Sequence, residues 1–382
     1  MKRDIFSADH QLFRDQFRKF AEREIAPRVA EWNERGMSDR ETWRKLGEAG
    51  YLGANQPAEY GGSGADFLYD AIIMEELADL RAHAIMVSLH SDIVMPYLVT
   101  YGSEAQKQRY LPGAISGEIL LGIAMTEPGT GSDLANVQTR ARRDGDHYVL
   151  NGAKTFISNG QIGDLFVVVC KTDPDAKPPH KGVSLILVEA DTPGFVRGRK
   201  LDKLGLRGQD TSELAFEDCR VPLDNLLGRE GDGFRMLMEK LQQERLTIAI
   251  ASIASCRRAL DDTIAYAKER RAFGQPIAAF QNTPFTLVEL ATQVEIGQAF
   301  VDKLLAAHVR GEEIVSEVSM AKWWTTDLQK RLTSECLQLH GGYGFMREYP
   351  IATDYADAAV QSIYAGTNEI MKVIIAKRLG LA

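Results

Sequence analysis

Residues 123–133 read Ile-Ala-Met-Thr-Glu-Pro-Gly-Thr-Gly-Ser-Asp, and the predicted structure changes from helix to strand at this stretch. Its proline and two glycines break any helix, and the glycines allow the backbone to approach a ligand closely. Thr126 and Ser132 add neutral donors, which suit the polar edge of a planar cofactor or a phosphate. A surface turn between two domains explains the same residues. The stretch is not a dinucleotide-binding loop, because Leu134 stands where the third glycine of that fingerprint belongs.

The patterns on either side of this stretch predict several domains. At 382 residues, the chain is long for a single hydrophobic core. We predict an α+β multidomain fold that begins with an all-helical N-terminal domain over residues 1–121. A central antiparallel β domain follows over residues 122–233, and a C-terminal four-helix bundle occupies residues 234–382.

Local signals indicate where single elements begin and end. Ser7 is a plausible helix N-cap, and Ser38 with Glu41 forms a capping-box pattern ahead of another helix. In the β domain, the predicted turns are Asp144-Gly145-Asp146, Asn151-Gly152 and Asn159-Gly160. Helical periods over 234–268, 285–310, 316–339 and 367–379 predict the bundle.

Composition argues against several classes of protein. The net charge of −8 disfavours a nucleic-acid partner. No apolar run approaches the roughly 20 residues that a membrane-spanning helix needs. The four cysteines form no CxxC pair, so we expect reduced thiols in a cytoplasmic protein. His83 and His90 share a helical pattern, but without a third ligand we expect no metal site.

Glu244 is the most informative residue of the last domain. It shares one face of a predicted helix with four apolar residues: Leu237, Leu241, Ile248 and Ala251. Burial on such a face raises the pKa of a carboxyl group and makes it a usable base near neutral pH. A structural glutamate that pairs with an arginine at a helix interface also fits this position. Arg245, the next residue, is expected to point elsewhere.

Two further segments in the last domain have the chemistry of a binding site. Residues 338–345 read Gln-Leu-His-Gly-Gly-Tyr-Gly-Phe, and their three glycines permit close backbone approach. An ordinary helix cap and turn explains the first glycine but not all three. Arg270, in a loop that continues to Gly274 and Pro276, could bind a phosphate, although an exposed arginine is by default a solvated charge.

Four blocks in order resemble the acyl-CoA dehydrogenase family, over a span from about Ile5 to Arg378. They are Ala-Met-Thr-Glu-Pro-Gly from Ala124 with Gly131-Ser-Asp; Lys-Thr-Phe-Ile-Ser-Asn-Gly from Lys154; Glu-Arg-Arg-Ala-Phe-Gly from Glu269; and residues 338–344 followed by Ile-Tyr-Ala-Gly-Thr-Asn-Glu-Ile from Ile363. The resemblance implies non-covalent FAD, a homotetramer, and electron delivery to an electron-transfer flavoprotein.

Within the family, the sequence is most similar to the long-chain branch. Most members place the catalytic glutamate directly before the Gly-Thr of the last block, where this chain has Ala365. The long-chain and isovaleryl branches take the base from a Glu-Arg pair on the helix seam, which here is Glu244-Arg245. The resemblance therefore implies that Glu244 is the catalytic base. The run Leu-Gln-Gln-Glu-Arg-Leu from Leu241 further favours the long-chain branch.

The resemblance also implies which residues bind each ligand. Positions that contact the flavin ring or its vicinity are Met125, Thr126, Gly131, Ser132, Phe156 and Ser158. Positions that hold the FAD pyrophosphate and adenosine, partly across a subunit boundary, are Arg270, Phe273, Gln281, Gln338, Gly341, Gly342, Thr367 and Glu369. Positions on the acyl-CoA side are Ser132, Gln242, Arg245, Ala365 and Gly366, and in the family the amide at the position of Ala365 helps to polarise the thioester carbonyl.

The implied function is FAD-dependent α,β-dehydrogenation of a medium- to long-chain acyl-CoA to trans-2-enoyl-CoA, the first step of fatty-acid β-oxidation. The flavin N5 would accept the hydride, and the electrons would then pass to an electron-transfer flavoprotein. Three alternatives stay open: a branched-chain dehydrogenase of isovaleryl type, an oxygen-using oxidase or monooxygenase, and an inactive binding or scaffold protein. Ala365 alone favours the last, and Glu244 argues against it.

Overall fold

The computed structural model describes residues 3–381 and begins with a helical region. Its helices are α1 (Ala8–Glu24), α2 (Val29–Arg35), α3 (Arg40–Glu48), α4 (Phe67–Asp79), α5 (Met95–Tyr101) and α6 (Glu104–Ile115). A π-helical turn, Leu89–Val94, leads directly into α5. Ser7 caps α1, as predicted, and His10 completes a capping box with it.

The predicted cap of α3 is off by one residue. Asp39 accepts the hydrogen bond from the backbone N–H of Thr42, and Ser38 instead accepts one from the indole of Trp43 at 3.0 Å. A carboxylate interacts more favourably than a hydroxyl with the positive end of the helix dipole, so the aspartate takes the cap.

The β region is one mixed sheet, in which most strand pairs are antiparallel. Its strands are β1 (Leu121–Ala124), β2 (Arg140–Asp144), β3 (His147–Ser158), β4 (Leu165–Lys171), β5 (Val183–Glu189), β6 (Phe195–Lys200), β7 (Thr211–Pro222) and β8 (Leu226–Leu227). The order is β6-β7-β3-β2-β4-β5-β8, with β1 beside β4. Both β1 and β2 pair with β4 in parallel, and the predicted antiparallel domain did not include these two pairings.

The predicted turn at Asn151-Gly152 is also wrong, because both residues lie inside β3. The pairing of β3 with β7 shifts register between Leu150 and Gly152. A Cβ at Gly152 would lie 2.5 Å from the Thr139 hydroxyl oxygen, so the glycine allows a close approach within the sheet rather than a turn.

The C-terminal region is helical, as predicted. It contains α7 (Gly233–Glu269), α8 (Asn282–Val309), α9 (Val315–His340), α10 (Pro350–Gln361) and α11 (Asn368–Arg378), with a small hairpin of β9 (Arg271–Ala272) and β10 (Gln275–Pro276) between α7 and α8. The helix α10 was not predicted. Within residues 3–381, no helix is long and apolar enough to cross a membrane.

Helix α7 connects the regions, because it packs on α4 and α5 as well as on α8 and α9. Leu246, Ile250 and Ile253 of α7 belong to the same buried core as Leu68 and Ala71 of α4. This packing brings the middle of α7 against the N-terminal helices, near the end of β1.

Candidate active site

A cavity of about 210 Å³ lies where the three regions meet. Most of its lining is apolar. The lining residues are Met74, Leu77 and Ala78 of α4, Ala82, His83, residues 85–89, Ile93, Ile123, Met125, Thr126, residues 156–158, Leu206, Glu244, Thr247, Ile248 and Ala251 of α7, Gln361, Tyr364 and Ala365. An apolar cavity with a few polar groups is the usual form of a small-molecule site.

Glu244 contributes a carboxylate to this cavity, although its side chain is only 4% exposed. The phenol of Tyr97 donates a hydrogen bond to Glu244 Oε1 at 2.7 Å. Burial raises the pKa of Glu244 to about 7, against the opposing effects of Tyr97, Arg245 and Lys240. The group can therefore take up or release a proton near neutral pH.

The predicted apolar stripe on α7 is confirmed at Leu237 and Ile248, which are buried with Glu244. Arg245 faces another side of the helix, yet it is also buried, at 3% exposure. Burial lowers its pKa, and among the described residues its Nε atom has no hydrogen-bond partner. Helix α7 is thus enclosed on more than one face, which the sequence pattern did not predict.

Ala365 lines the cavity together with Glu244 and sits in the left-handed region, with φ of +52°. Gly366 follows at φ of +86°. The fully buried Lys322 donates to the Gly366 carbonyl at 2.8 Å and to Asn368 Oδ1 at 3.1 Å. Burial lowers the pKa of Lys322 to about 8. These contacts fix the backbone between α10 and α11 at the edge of the cavity.

The loop after β1 is fixed by a second buried lysine. Lys154 Nζ lies 2.8 Å from Glu127 Oε1 and donates to the Met125 carbonyl at 2.9 Å. Burial alone would raise the pKa of Glu127, but Lys154 holds it below its usual value. The Thr155 N–H donates to the Thr126 carbonyl at 2.9 Å, so Met125 and Thr126 are held against β3.

Phe156 and Ser158 line the cavity at the end of β3. Phe156 has φ of +59° and is 67% exposed, which is unusual for a large aromatic side chain. With Thr126 it offers an exposed aromatic ring beside hydroxyl groups, a combination that suits a planar ring with a polar edge. Gly131 and Ser132 are exposed beyond this cavity, and a Cβ at Gly131 would meet no described atom within 4 Å.

A second group of predicted residues lies outside this cavity, around the ends of α7 and α9. The Arg270 guanidinium stacks over the Tyr343 ring at 5.2 Å, and Phe273 is 96% exposed. The other exposed members are Gln281, Gln338, Gly341 and Gly342. Thr367 caps α11, and Glu369 is exposed in its first turn. Their assignment to FAD stays a prediction.

Gln242 does not line the cavity. Its side-chain oxygen accepts from the Ile314 N–H at 2.8 Å, and its amide donates to the Glu312 carbonyl at 3.1 Å. These contacts join α7 to the segment between α8 and α9, and they give no support to the predicted role in binding acyl-CoA.

No group of three candidate metal ligands gathers around His83, His90 or any other position within residues 3–381. His90 is buried between Ala114 O, at 2.8 Å from Nε2, and the Leu121 N–H, at 3.1 Å from Nδ1. Burial lowers its pKa to about 4, so the ring is neutral and positions β1.

Tyr97, Lys154 and Lys322 were missed as contributors to the site. Tyr97 lies 147 residues from Glu244 in the chain, and no local pattern marks that contact. Lys154 was part of a recognised block, but its burial against Glu127 depends on the fold. A lysine in an otherwise apolar helical pattern, as at Lys322, is a weak signal of a buried cation.

Comparison with known proteins agrees with this geometry. Three family models match: "Acyl-CoA dehydrogenase, N-terminal domain" over residues 7–118, "middle domain" over 122–219 and "C-terminal domain" over 231–380. The mouse mitochondrial long-chain specific acyl-CoA dehydrogenase is 47% identical over 99% of this chain and 88% of its own. The isovaleryl-CoA dehydrogenase of Pongo abelii is 35% identical over 97% of this chain and 88% of its own. An acyl-CoA dehydrogenase structure from Geobacillus kaustophilus, 53% identical, superposes with a TM-score of 0.98 over 99% of this chain and 100% of its own.

The chain belongs to the acyl-CoA dehydrogenase family. It is an FAD-dependent oxidoreductase that dehydrogenates an acyl-CoA. The cavity lining suits the edge of a flavin ring, since it combines the exposed Phe156 with the hydroxyl-bearing Thr126 and Ser158. Similarity to the long-chain relative extends over nearly the whole chain.

Replacing Lys154 with methionine tests the loop anchor. Lys154→Met leaves the Glu127 carboxylate buried without its cation, and breaking such a pair costs about 3–5 kcal/mol of stability. The melting temperature of the FAD-loaded protein should fall clearly, as measured by differential scanning fluorimetry. Lys171→Met, at the half-buried end of β4, is the matched control and should have little effect. Equal melting temperatures for the two variants would contradict the anchor role.

Proposed function

We propose that the protein converts medium- to long-chain acyl-CoA thioesters to trans-2-enoyl-CoA, with Glu244 as the catalytic base. The observation that carries this proposal is a buried carboxylate, with a pKa raised to about 7 by burial, in an apolar cavity that it shares with Ala365. We also propose that the chain is divided into three domains, at residues 1–121, 122–233 and 234–382.

The α-proton of a thioester is weakly acidic, so its removal needs both a base and stabilisation of the enolate-like charge. Glu244 Oε1 accepts from Tyr97, which leaves Oε2 to take the α-proton. FAD, when bound, supplies the acceptor for the hydride from the β-carbon. Met125, Thr126, Phe156 and Ser158 would hold its ring.

The backbone at Ala365 is suited to polarise the thioester carbonyl. Its N–H is presented by a segment that Lys322 and the Thr367 cap hold in place. A fixed backbone donor costs little reorganisation as negative charge develops on the carbonyl oxygen. The left-handed conformation of Ala365 fits a functional constraint on this backbone.

The apolar side of α7 supports an acyl chain of medium to long length. Thr247, Ile248 and Ala251 line the cavity beyond Glu244. The seven helical steps from Glu244 to Ala251 span about 10 Å, close to the length of about eight methylene groups. The 47% identity to a long-chain enzyme, against 35% to an isovaleryl enzyme, favours the same choice.

We further propose an assembly, an electron acceptor and a location for the protein. Exposed Phe285, Val288 and Ile296 on α8 support self-association, which we propose to be a homotetramer. An electron-transfer flavoprotein is the proposed electron acceptor, by similarity to the family. All four cysteines are free and buried, which suits the reducing cytoplasm that we propose as the location.

The role of Glu244 can be tested by Glu244→Gln, which keeps the shape but removes the proton acceptor. Flavin reduction by acyl-CoA should fall by about two orders of magnitude or more, while FAD and acyl-CoA still bind. Anaerobic stopped-flow absorbance measures this rate. Glu239→Gln, on the same helix at a site where the carboxylate accepts from Tyr101, is the control and should reduce at the normal rate. Normal reduction in Glu244→Gln would show that another group is the base.

Moving the carboxylate from position 244 to position 365 tests whether both positions face the same cavity. Glu244→Gln combined with Ala365→Glu should recover part of the lost rate, because both positions face the same space. Recovery should be incomplete, since a misplacement of about 1 Å can cost about 100-fold. Ala365→Gln in the same background lacks the carboxylate and should recover nothing. The same stopped-flow assay decides, and equal rates for the two double variants would contradict the shared position.

Chain-length selection can be tested by Ala251→Leu, which narrows the cavity two turns beyond Glu244. Activity on a long-chain acyl-CoA should fall by about tenfold or more relative to a butyryl thioester, because an overpacked contact costs about 1–3 kcal/mol. Ala265→Leu, at an exposed position of α7, is the control. Ratios of kcat/KM across chain lengths provide the measurement. A preference for isovaleryl-CoA in the unmodified enzyme would instead favour the branched-chain alternative.

The Arg270→Ala variant tests the second group of predicted residues, around the ends of α7 and α9. If Arg270 helps to hold the FAD pyrophosphate near a subunit boundary, the variant should lose FAD on gel filtration and show a smaller assembly. Lys268→Ala, in the exposed last turn of α7, should keep both. The absorbance ratio of flavin to protein and light scattering measure the two outcomes. An FAD-loaded monomer of the unmodified protein would contradict the proposed assembly.

A further inference from the structure

Tyr97 occupies a fully buried position behind the cavity. Its phenol reaches the carboxylate from α5 and donates to Glu244 Oε1 at 2.7 Å, whereas Tyr97 does not itself line the cavity. Burial raises the pKa of Tyr97 well above its usual value, so the phenol remains a donor over the working range of pH.

The backbone before Tyr97 explains its direction. The π-helical turn Leu89–Val94 precedes α5, and Leu89 and Ile93 of this turn line the cavity. A π-turn shifts the faces of the residues that follow it, and such turns are frequent at functional sites. The neighbours of Tyr97 on α5, Met95 and Leu98, are buried in the adjoining core, which limits its ring to one orientation.

We infer that Tyr97 is a positioning residue that holds Glu244 Oε1, directs Oε2 to the substrate α-carbon, and favours the ionised form of the base. The inference rests on the proposed role of Glu244 as the base. An O–H donor bonds more strongly to a carboxylate than to a neutral carboxylic acid, so the contact favours the ionised form.

Other ionisable groups around Glu244 do not replace this contact. On its own helix, Arg245 and Lys240 act on it through charge alone. Titratable groups on the elements packed around it include Tyr101 of α5, His90 and Asp92 of the π-turn, Asp70 of α4, His308 of α8, Lys322 of α9, and His83 and Tyr364 of the cavity lining. The hydrogen bond to the Glu244 carboxylate comes from Tyr97.

The test is the pH dependence of flavin reduction in the FAD-loaded Tyr97→Phe variant. Loss of the donor raises the pKa of Glu244, and the base must be ionised, so the rising limb of the profile should move to higher pH. A shift of about one pH unit corresponds to a tenfold change in the protonation equilibrium. At pH 6 the rate should then fall about tenfold, whereas at pH 9 it should stay within about threefold.

Tyr101→Phe is the matched control, because Tyr101 is also on α5 but donates to Glu239 at the surface. Its profile should be that of the unmodified enzyme. A Tyr97→Phe variant that loses rate equally at every pH, with an unmoved limb, would overturn the inference and indicate a structural role.

Incorporation of 3-fluorotyrosine at position 97 covers the case in which Tyr97→Phe does not fold. This nearly isosteric residue is a stronger donor, so the limb should move to lower pH; an unmoved limb overturns the inference. Failure of this inference is separable from failure of the proposed function. If Glu244→Gln abolishes reduction while neither change at Tyr97 moves the limb, Glu244 remains the base and Tyr97 does not tune it.

Discussion

The burial of one carboxylate on α7 is the constraint on which the site depends. A glutamate on a core-facing seam loses hydration, and its charged form becomes costly unless a donor meets it. Tyr97 supplies that donor at 2.7 Å, and the remaining effect of burial leaves the pKa of Glu244 at about 7. The same loss of water that destabilises the carboxylate makes it a usable base. The packing around α7 therefore also determines the acid–base chemistry of Glu244.

The backbone segments around the carboxylate are held by buried cations. Lys154 fixes the loop after β1 through Glu127 and the Met125 carbonyl, and Lys322 fixes the segment at Gly366. A buried ammonium is costly without acceptors, so each lysine is stable only when its loop takes one conformation. This arrangement makes the loop-built parts of the cavity wall rigid, which a proton transfer between closely placed groups requires.

The sequence by itself determined much of the plan of this protein. The change of hydrophobic period at residues 123–133 separated the helical and β regions, and the stripe around Glu244 predicted its burial, because helix periodicity is a local property. Two predictions from local signals were wrong. Asp39 took the cap predicted for Ser38, and Gly152 served a close approach inside β3 rather than a turn.

The tertiary structure alone decided which groups meet. Tyr97 and Glu244 lie 147 residues apart, and Arg245 is buried because α7 is enclosed by helices from two regions of the chain. Gln242, next to the site in sequence, is engaged by Ile314 instead. A helical pattern specifies which side of a helix is apolar, whereas the partner on that side is set by how distant segments pack. The site is therefore predictable as a set of residue types but not as a set of contacts.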